Sequence, residues 1–340
     1  MAIYNIRNKR EYEMASDEDL IRLIPAVGAN APVVRRSILE ILAFGLATNS
    51  FIHVSGPSGM GKTLLLDNFQ RQDENWKILL QKIKLPYKPL IIKSIEMCLF
   101  DSPSELWYRR SLRVKNGATE TWDEPSAIVQ ALKEAATNND TYYTIWLREF
   151  GRVTNPLIST ALLDLMTKSE IQIDSETRIP PNSVSWIADS NFQAANSGGG
   201  NYVLSPMCEA INRRFEVQVE MPYLPKDQEM EIVRYLVKEN LPSEEIDDAL
   251  IGNIVELGSK IRSLRNSGKI SSVNPTPYNY LAAYRLIKGL PERNIITILK
   301  NTLVGNPSDQ DKAQIDSLIN NVFFSFNFSR NKKVYHTQYT

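Results

Sequence analysis

The chain has 340 residues, and its 39 basic and 39 acidic side chains give a formal net charge of zero. That balance excludes a global electrostatic field that would draw the chain to nucleic acid or to an anionic membrane, although local basic patches remain possible. With 43% hydrophobic and 23% charged residues, the composition is typical of a globular protein long enough for two domains.

The first part of the chain alternates predicted helices and strands. Apolar residues in helical steps predict a helix over 33–48, and residues 50–69 read as a short strand, a glycine-rich loop and a second helix. Residues 89–100 predict a buried strand. Asn-Gly at positions 116 and 117, between two mixed polar and apolar arms, predicts a β-hairpin within 104–126, and a helix follows over 127–139.

The same alternation continues up to about residue 225. The stretch TIWL at 144–147 predicts a strand, and Asn155 with Pro156 begins an amphipathic helix. An alternating arm and a proline-containing turn lead into a buried strand, VSWIA at 184–188. After a last strand within 215–225, the pattern is helical from Lys226 onward, with breaks at Leu241-Pro242 and within 273–279.

Strands that alternate with helices predict an α/β fold with a doubly wound parallel sheet. We therefore expect an N-terminal segment (1–32), an α/β nucleotide-binding domain (33–225), a smaller all-helical lid domain (226–320) and a C-terminal tail (321–340) whose role the sequence does not indicate. No apolar run approaches the roughly 18 residues of a membrane span, and no signal-peptide core opens the chain. These features predict a cytoplasmic protein without a membrane span.

Residues 56–63 read GPSGMGKT and match the phosphate-loop pattern G-x-x-x-x-G-K-[ST]. The glycines allow backbone N–H groups to point inward at a phosphate, and the following helix adds its positive N-terminal dipole. Lys62 can then reach the β- and γ-phosphates, and the Thr63 hydroxyl can bind Mg²⁺. The predicted nucleotide-binding residues are Gly56, Pro57, Ser58, Gly59, Met60, Gly61, Lys62, Thr63 and Leu64.

Together with two further stretches, 148–191 and 204–225, this loop resembles AAA+ ATPases of the MoxR and dynein-related branch, with similarity from about residue 30 to residue 300. The resemblance implies that Glu149 orients the attacking water, that Asn191 senses the γ-phosphate, and that Arg214 or Arg213 reaches a neighbouring subunit's nucleotide. It also implies ATP and Mg²⁺ as ligands, a ring oligomer such as a hexamer, and a client protein, with a von Willebrand factor A domain protein as one possible partner.

Chemistry supports these assignments without the family. A carboxylate at the carboxyl end of a buried strand, as predicted for Glu149, would lie beside the nucleotide crevice, where it can orient a water molecule. As an alternative, Asn191 could be a turn residue that caps a strand, and Arg213 and Arg214 could be a solvated pair. Cys98 and Cys208 lie far apart without metal-ligand spacing, so we expect both to be buried apolar residues.

Two positions depart from the family pattern. Tyr278 stands where the lid of this branch carries an arginine, so no second sensor residue is assigned. Arg148 stands where the branch has an aspartate that holds a water of the magnesium shell. Mg²⁺ keeps several waters and few direct protein ligands, so this loss weakens the metal site without abolishing it. Arg148 could pair with Glu149 or another nearby acid, contact the phosphates or face solvent.

Three functions follow from these observations. The first is an ATPase whose turnover remodels a client protein that faces the hairpins near 104–126 and 169–182. The second is a nucleotide-dependent scaffold or switch that hydrolyses slowly or not at all because of Arg148. The third is a nucleic-acid motor using the basic cluster Arg109, Arg110, Arg113 and Lys115, against which the neutral net charge argues. The sequence indicates neither the client nor the number of subunits.

Overall fold

The computed structural model describes residues 3–27, 29–115, 117–153, 155–167, 170–172, 178–191, 211, 213–270, 275–305 and 311–323. Several predictions concern residues outside these ranges. They are the turn residue Asn116, the middle of the second predicted hairpin (173–177), the segment 192–210 with Cys208, and most of the C-terminal tail.

A five-stranded, all-parallel sheet forms the centre of the chain. Its strands are β4 (Phe51–Gly56), β5 (Leu90–Glu96), β8 (Tyr142–Arg148), β11 (Ser185–Asn191) and β12 (Val217–Glu220). Across the sheet they lie in the order β12-β4-β11-β8-β5, and every neighbouring pair is parallel. The first six residues of β8 are all buried, as expected for a central strand covered on both faces.

Helices cover both faces of this sheet. One face packs against α2 (Arg36–Ala47), α3 (Lys62–Arg71) and α4 (Asp73–Lys82), and the other against α5 (Ala127–Thr137) and α6 (Pro156–Thr167). The period of two along β11 separates the faces, because Ile187 belongs to the first core and Trp186 to the second. The predicted doubly wound α/β fold is therefore confirmed.

The N-terminal segment contains elements that the sequence pattern did not indicate. A small three-stranded sheet consists of β1 (Tyr4–Asn5), β2 (Leu20–Arg22) and β3 (Val33–Arg35), with α1 (Lys9–Met14) between the first two strands. The helix predicted over 33–48 therefore begins at Arg36. The β-branched pair Val33 and Val34 pairs with β2 instead of joining the helix.

Two buried asparagines fasten this segment to the helices. The Asn68 and Asn75 side-chain amides donate to the Ile24 carbonyl at 2.9 and 2.8 Å, and the Ile24 N–H donates to Asn75 Oδ1 at 3.0 Å. Because these amides are buried, each hydrogen bond offsets a desolvation penalty that an unpaired group would carry. Ile24 is thereby held against α3 and α4.

The two hairpins lie between elements of the sheet. The first is β6 (Tyr108–Lys115) with β7 (Ala118–Pro125), and the second is the short pair β9 (Ile171–Gln172) and β10 (Arg178–Ile179). In the first hairpin Leu112 and Val114 are more than 70% exposed. The hairpin predicted within 104–126 is confirmed.

From Lys226 onward the described structure is helical. It contains α7 (Lys226–Asn240), α8 (Asp248–Asn266), α9 (Pro277–Gly289) and α10 (Ile295–Leu299), which continues as a π-helical turn, and residues 311–323 are also helical. The predicted breaks coincide with the end of α7 and the start of α9. A separate apolar core joins these helices, while a domain boundary at 225 stays a prediction. Within the described residues, no helix is both long enough and apolar enough to cross a membrane.

Gly258 allows α8 and α9 to pack closely, which gives a stability test. A Cβ there would lie 2.2 Å from Tyr280 Oη, and Tyr280 is fully buried. We expect Gly258→Ala to lower the free energy of unfolding by about 1–3 kcal/mol through overpacking. Gly289, where a Cβ would meet nothing within 4 Å, provides the matched control. Urea denaturation should show Gly289→Ala unchanged or slightly stabilised; equal effects of the two variants would contradict the packing argument.

Candidate functional site

The strand order brings three loops together at the carboxyl edge of the sheet. β11 lies between β4 and β8, and in its register Asn191 is the neighbour of Gly56 at the start of the phosphate loop. On the other side, Ala188 pairs with Leu147, so β11 ends beside the turn that carries Glu149. Ligands of open α/β sheets bind at such edges.

The phosphate loop has the backbone conformation that its glycines predict. Gly56, Gly59 and Gly61 have φ values of 150°, 81° and 87°. A Cβ on Gly56 would lie 2.3 Å from the Met221 carbonyl oxygen, and one on Gly59 would lie 2.3 Å from Thr276 Cγ2. Two of the glycines are therefore required both for conformation and for close approach.

Lys62 begins α3, and its side chain is folded back into the loop. The side chain is 7% exposed, and its ammonium donates to the carbonyl oxygens of Gly56 and Pro57 at 2.7 and 2.9 Å and to Asn191 Oδ1 at 3.1 Å. Burial lowers the pKa of Lys62 to about 8, and the nearby Asp189 carboxylate partly opposes this shift. The three acceptors are neutral oxygens, so an anion that entered the loop would be a stronger partner.

Glu149 follows β8 in a left-handed turn, with φ 52° and ψ 38°. Its N–H donates to Asp189 Oδ1 at 3.3 Å, and its carboxylate pairs with Arg152 at 2.7 Å. A residue other than glycine is disfavoured in this conformation, and such outliers concentrate at functional sites.

Arg148 pairs with an acid of the next strand and not with Glu149, which was the acid named among the alternatives left open by the sequence. Its guanidinium lies 2.5 Å from the carboxylate of Glu96, its register neighbour on β5, and stacks over the Trp146 ring at 4.9 Å. Register neighbours of opposite charge lie at a distance that favours this pair.

Asp189 is a residue of this edge to which the sequence argument assigned no role. It is 6% exposed and accepts a hydrogen bond from Trp146 Nε1 at 2.6 Å in addition to that from Glu149. Burial raises its pKa, while the Trp146 hydrogen bond and the Lys62 charge oppose the rise. The period of two along β11 was the available signal, because it places Asp189 on the same face as Asn191.

The structure corrects the expectation for Cys98, which is exposed rather than buried. It lies on the turn after β5, with its sulfur and single carboxylate oxygens of Glu96 and Glu149 within 4.8 Å of one another. Both acids of this cluster are already engaged by arginines, Arg148 and Arg152 respectively. The cluster therefore has little uncompensated negative charge to attract a cation.

Thr63 and the arginine pair lie where they can face a ligand or a second protein. Thr63 is an exposed residue in the first turn of α3. Arg213 and Arg214 are exposed and precede β12, while the next residue, Phe215, is buried against His53 with ring centroids 5.4 Å apart. Burial lowers the pKa of His53 to about 4, so the imidazole is neutral at neutral pH.

An apolar pocket adjoins the phosphate loop. Of the residues that line it, the sequence predicted only those of the loop as nucleotide-binding residues. Its walls come from the segment before α2, from the loop and the first turn of α3, and from the helical region; they include Ala31, Val33, Met60, Leu64, Ile232 and Tyr278. No sequence motif marks residues 31–34 or 232, and Tyr278 was noted only as a departure. The pocket has the apolar, concave character of a small-molecule site.

Comparisons with known proteins add little to this geometry. No protein-family model and no curated protein matches the chain. Among solved structures, a Cytophaga hutchinsonii protein provisionally assigned as an ATPase matches 85% of this chain and 88% of its own, with 17% identity and a TM-score of 0.36. Caenorhabditis elegans PCH-2 matches 87% and 68%, with 13% identity and a TM-score of 0.41.

Brucella abortus NtrX in complex with ADP matches 78% of this chain and 52% of its own, with 18% identity and a TM-score of 0.42. With identities below 25% and TM-scores below 0.5, these likenesses carry no argument about family or activity. The chemistry of the site therefore rests on its own residues.

Proposed function

We propose that the chain binds ATP with Mg²⁺ and hydrolyses it, as an AAA+ ATPase of the MoxR and dynein-related branch. The observation that carries the proposal is the buried Lys62 ammonium, which lies inside a glycine loop and contacts Asn191 from the neighbouring strand end. A buried cation that meets only neutral acceptors in a loop of this geometry is suited to a polyphosphate.

Each part of the nucleotide has a matching surface. The loop N–H groups and Lys62 would hold the β- and γ-phosphates, with Lys62 leaving the Gly56 and Pro57 carbonyls to do so. The apolar pocket that includes Val33 and Tyr278 would hold the base and sugar.

The residues present fit Mg²⁺, a hard cation that prefers oxygen ligands and keeps several waters. Thr63 would supply a hydroxyl ligand from the exposed first turn of α3. When bound, the metal neutralises the charge that develops on the phosphates. Arg148 cannot bind a cation. The ion pair with Glu96 holds the Arg148 guanidinium at the edge of the sheet.

Glu149 and Asn191 would act on the water and the γ-phosphate. Glu149 would orient the attacking water and accept its proton after its carboxylate leaves Arg152, to which it is joined by a partly exposed pair. Asn191 would exchange its contact with Lys62 for the γ-phosphate. Its amide would then respond to whether that phosphate is present.

The direct test is phosphate release from ATP in the presence of Mg²⁺. The wild-type chain should release phosphate above the level of a Lys62→Ala control at equal protein concentration. Release at the control level would overturn the ATPase proposal. Parallel measurements with GTP would show whether the apolar pocket selects the base.

The second candidate is a nucleotide-dependent scaffold or switch that hydrolyses slowly or not at all. Two ion pairs favour it, because Glu96 is occupied by Arg148 and Glu149 by Arg152. In this function nucleotide binding would persist without phosphate release above the Lys62→Ala level. Direct nucleotide titration therefore separates it from a chain that binds no nucleotide.

A ring assembly would complete the site with an arginine from a second copy. Arg214 is exposed and therefore available to a neighbouring subunit. We expect ATP to raise the solution mass to several times that of the monomer, and Arg214→Ala to lower turnover by roughly 10³-fold or more with nucleotide affinity kept. Light scattering measures the solution mass, and phosphate release measures the turnover. A strict monomer with every nucleotide, or an unaffected Arg214→Ala variant, would contradict this role.

The client would be a protein contacted through the hairpins. The exposed Leu112 and Val114 on β6 provide apolar contact surface for such a client, and a von Willebrand factor A domain partner follows from resemblance alone.

The hairpin arginines argue against nucleic acid as the partner, since Arg110 and Arg113 pair with Asp123 and Glu120 across the hairpin. Weak, salt-insensitive binding to DNA and RNA should confirm this.

A further inference from the structure

Asp189 is a buried carboxylate at the catalytic edge that the proposed mechanism does not use. It lies on β11 between the phosphate-loop strand and β8, whose end carries Arg148 in place of an acid. An ionisable group that is 94% buried needs a reason to be there, because desolvation penalises its charge.

Its contacts point to the turn at Glu149. One carboxylate oxygen, Oδ1, accepts from the Trp146 indole at 2.6 Å and from the Glu149 N–H at 3.3 Å. The first contact gives the buried carboxylate a hydrogen-bond donor, and the second holds the first N–H of the left-handed turn. Since a glutamate disfavours φ 52°, the turn needs such support to persist.

Cations on both sides favour the charged form of this acceptor. Burial has the largest influence and raises the pKa of Asp189 overall, while the Trp146 hydrogen bond, Lys62, the Glu149 N–H and Arg148 oppose the rise. A carboxylate accepts hydrogen bonds more strongly than a neutral oxygen does. The single N–H of Glu149 is thus tied to the strongest type of acceptor at this edge.

We propose that Asp189 is a positioning residue for Glu149: from the neighbouring strand it holds the Glu149 N–H and thereby sets the turn that aims the Glu149 carboxylate into the crevice. Position 148 contributes no acid to this edge, because it is an arginine. Its guanidinium is paired with Glu96 of β5, on the side of β8 away from β11. The inference deepens the proposed hydrolysis and rests on it for its catalytic consequence. Its structural part, the held N–H, stands independently of hydrolysis.

The first experiment needs neither a variant nor a nucleotide. In the nucleotide-free wild-type chain, the Glu149 amide should exchange with deuterium at least tenfold more slowly than an unprotected amide, as resolved by NMR or by fragmentation mass spectrometry. Exchange at the unprotected rate would overturn the proposal. This readout decides the structural part even if the wild-type chain releases no phosphate.

The second experiment compares two substitutions. Asp189→Ala removes the acceptor, and we expect Glu149 amide protection to disappear and kcat to fall at least tenfold while KM changes less than about threefold. Asp189→Asn keeps an oxygen acceptor, and it should keep protection and restore kcat to within about threefold of wild type. Asp189→Asn also serves if the alanine variant does not fold, since loss of protection in a folded asparagine variant contradicts the proposal.

Two control variants separate positioning from general stability. Ser190→Ala changes the next residue, whose Oγ contacts His53 at 2.9 Å on the opposite face of the sheet, and it should leave kcat unchanged. Trp146→Phe removes the other donor to Asp189 and should keep Glu149 protection. A wild-type kcat in Asp189→Ala would overturn the positioning role and leave the ATPase proposal intact. Absence of turnover in the wild-type chain would overturn the ATPase proposal and leave the held Glu149 N–H intact.

Discussion

Replacing Glu149 with glutamine is expected to lower ATP turnover by about 10²–10⁴-fold, the range that one general base contributes. An amide cannot take the proton of the attacking water. Nucleotide binding should change less than about threefold, because the loop, Lys62 and the apolar pocket are untouched. Glutamine can still accept from Arg152 through its oxygen, so the local structure should persist. Steady-state phosphate release and direct titration with ATP measure the two effects separately.

A carboxylate in a similar ion pair provides the control for this substitution. Glu134, on α5, is 42% exposed and pairs at 3.2 Å with Lys93 of the edge strand β5. Glu134→Gln removes the same charge away from the crevice and should leave turnover unchanged. Glu149→Gln with wild-type turnover would assign the water-orienting role to another residue; equal losses in both variants would indicate a non-specific charge effect.

Replacing Lys62 with alanine should have the largest effect on binding. A charge-assisted hydrogen bond to phosphate contributes about 1.5–3 kcal/mol, which corresponds to roughly a 10–150-fold loss of ATP affinity. Without nucleotide the variant should be at least as stable as wild type. In the wild-type chain, burial of the Lys62 side chain lowers its pKa to about 8. This shift indicates that the charged ammonium is unfavourable in the loop until an anion binds.

Thermal melting with and without Mg²⁺ and ATP tests both parts of this prediction. At the same nucleotide concentration, wild type should gain more stability than Lys62→Ala does, in line with linkage between binding and folding. Lys93→Ala is the matched control, since Lys93 lies on β5 in a partly exposed pair and should leave the nucleotide response intact. A stability gain with ATP as large in Lys62→Ala as in wild type would contradict the role of the loop.

The elements of the central fold were predictable because their signals are local. Buried strands appear as short β-branched and aromatic runs, and the amphipathic helices have their apolar residues at helical spacing. The small sheet of β1, β2 and β3 was not anticipated, since strands of two or three residues carry too few side chains to show a period. The exposed Cys98 shows the limit of residue preference, because a turn after β5 overrides it.

The phosphate loop could be read from the sequence by itself, because eight contiguous residues contain both the glycines and the lysine that its chemistry needs. Glu149 and Asn191 could be proposed because each ends a predicted strand. The tertiary structure decided the rest. Strand order places β11 between β4 and β8, register pairs Arg148 with Glu96, and residues from four distant segments line the apolar pocket.

The physical reason is the range of the interactions. Backbone conformation at Gly56, Gly59 and Gly61 is a property of the loop itself, so its residue types reveal it. The role of Asp189 depends on which strands lie beside it and on the depth at which its side chain is buried. Only the folded sheet brings its carboxylate within 3.3 Å of the Glu149 N–H, 40 residues away in the chain.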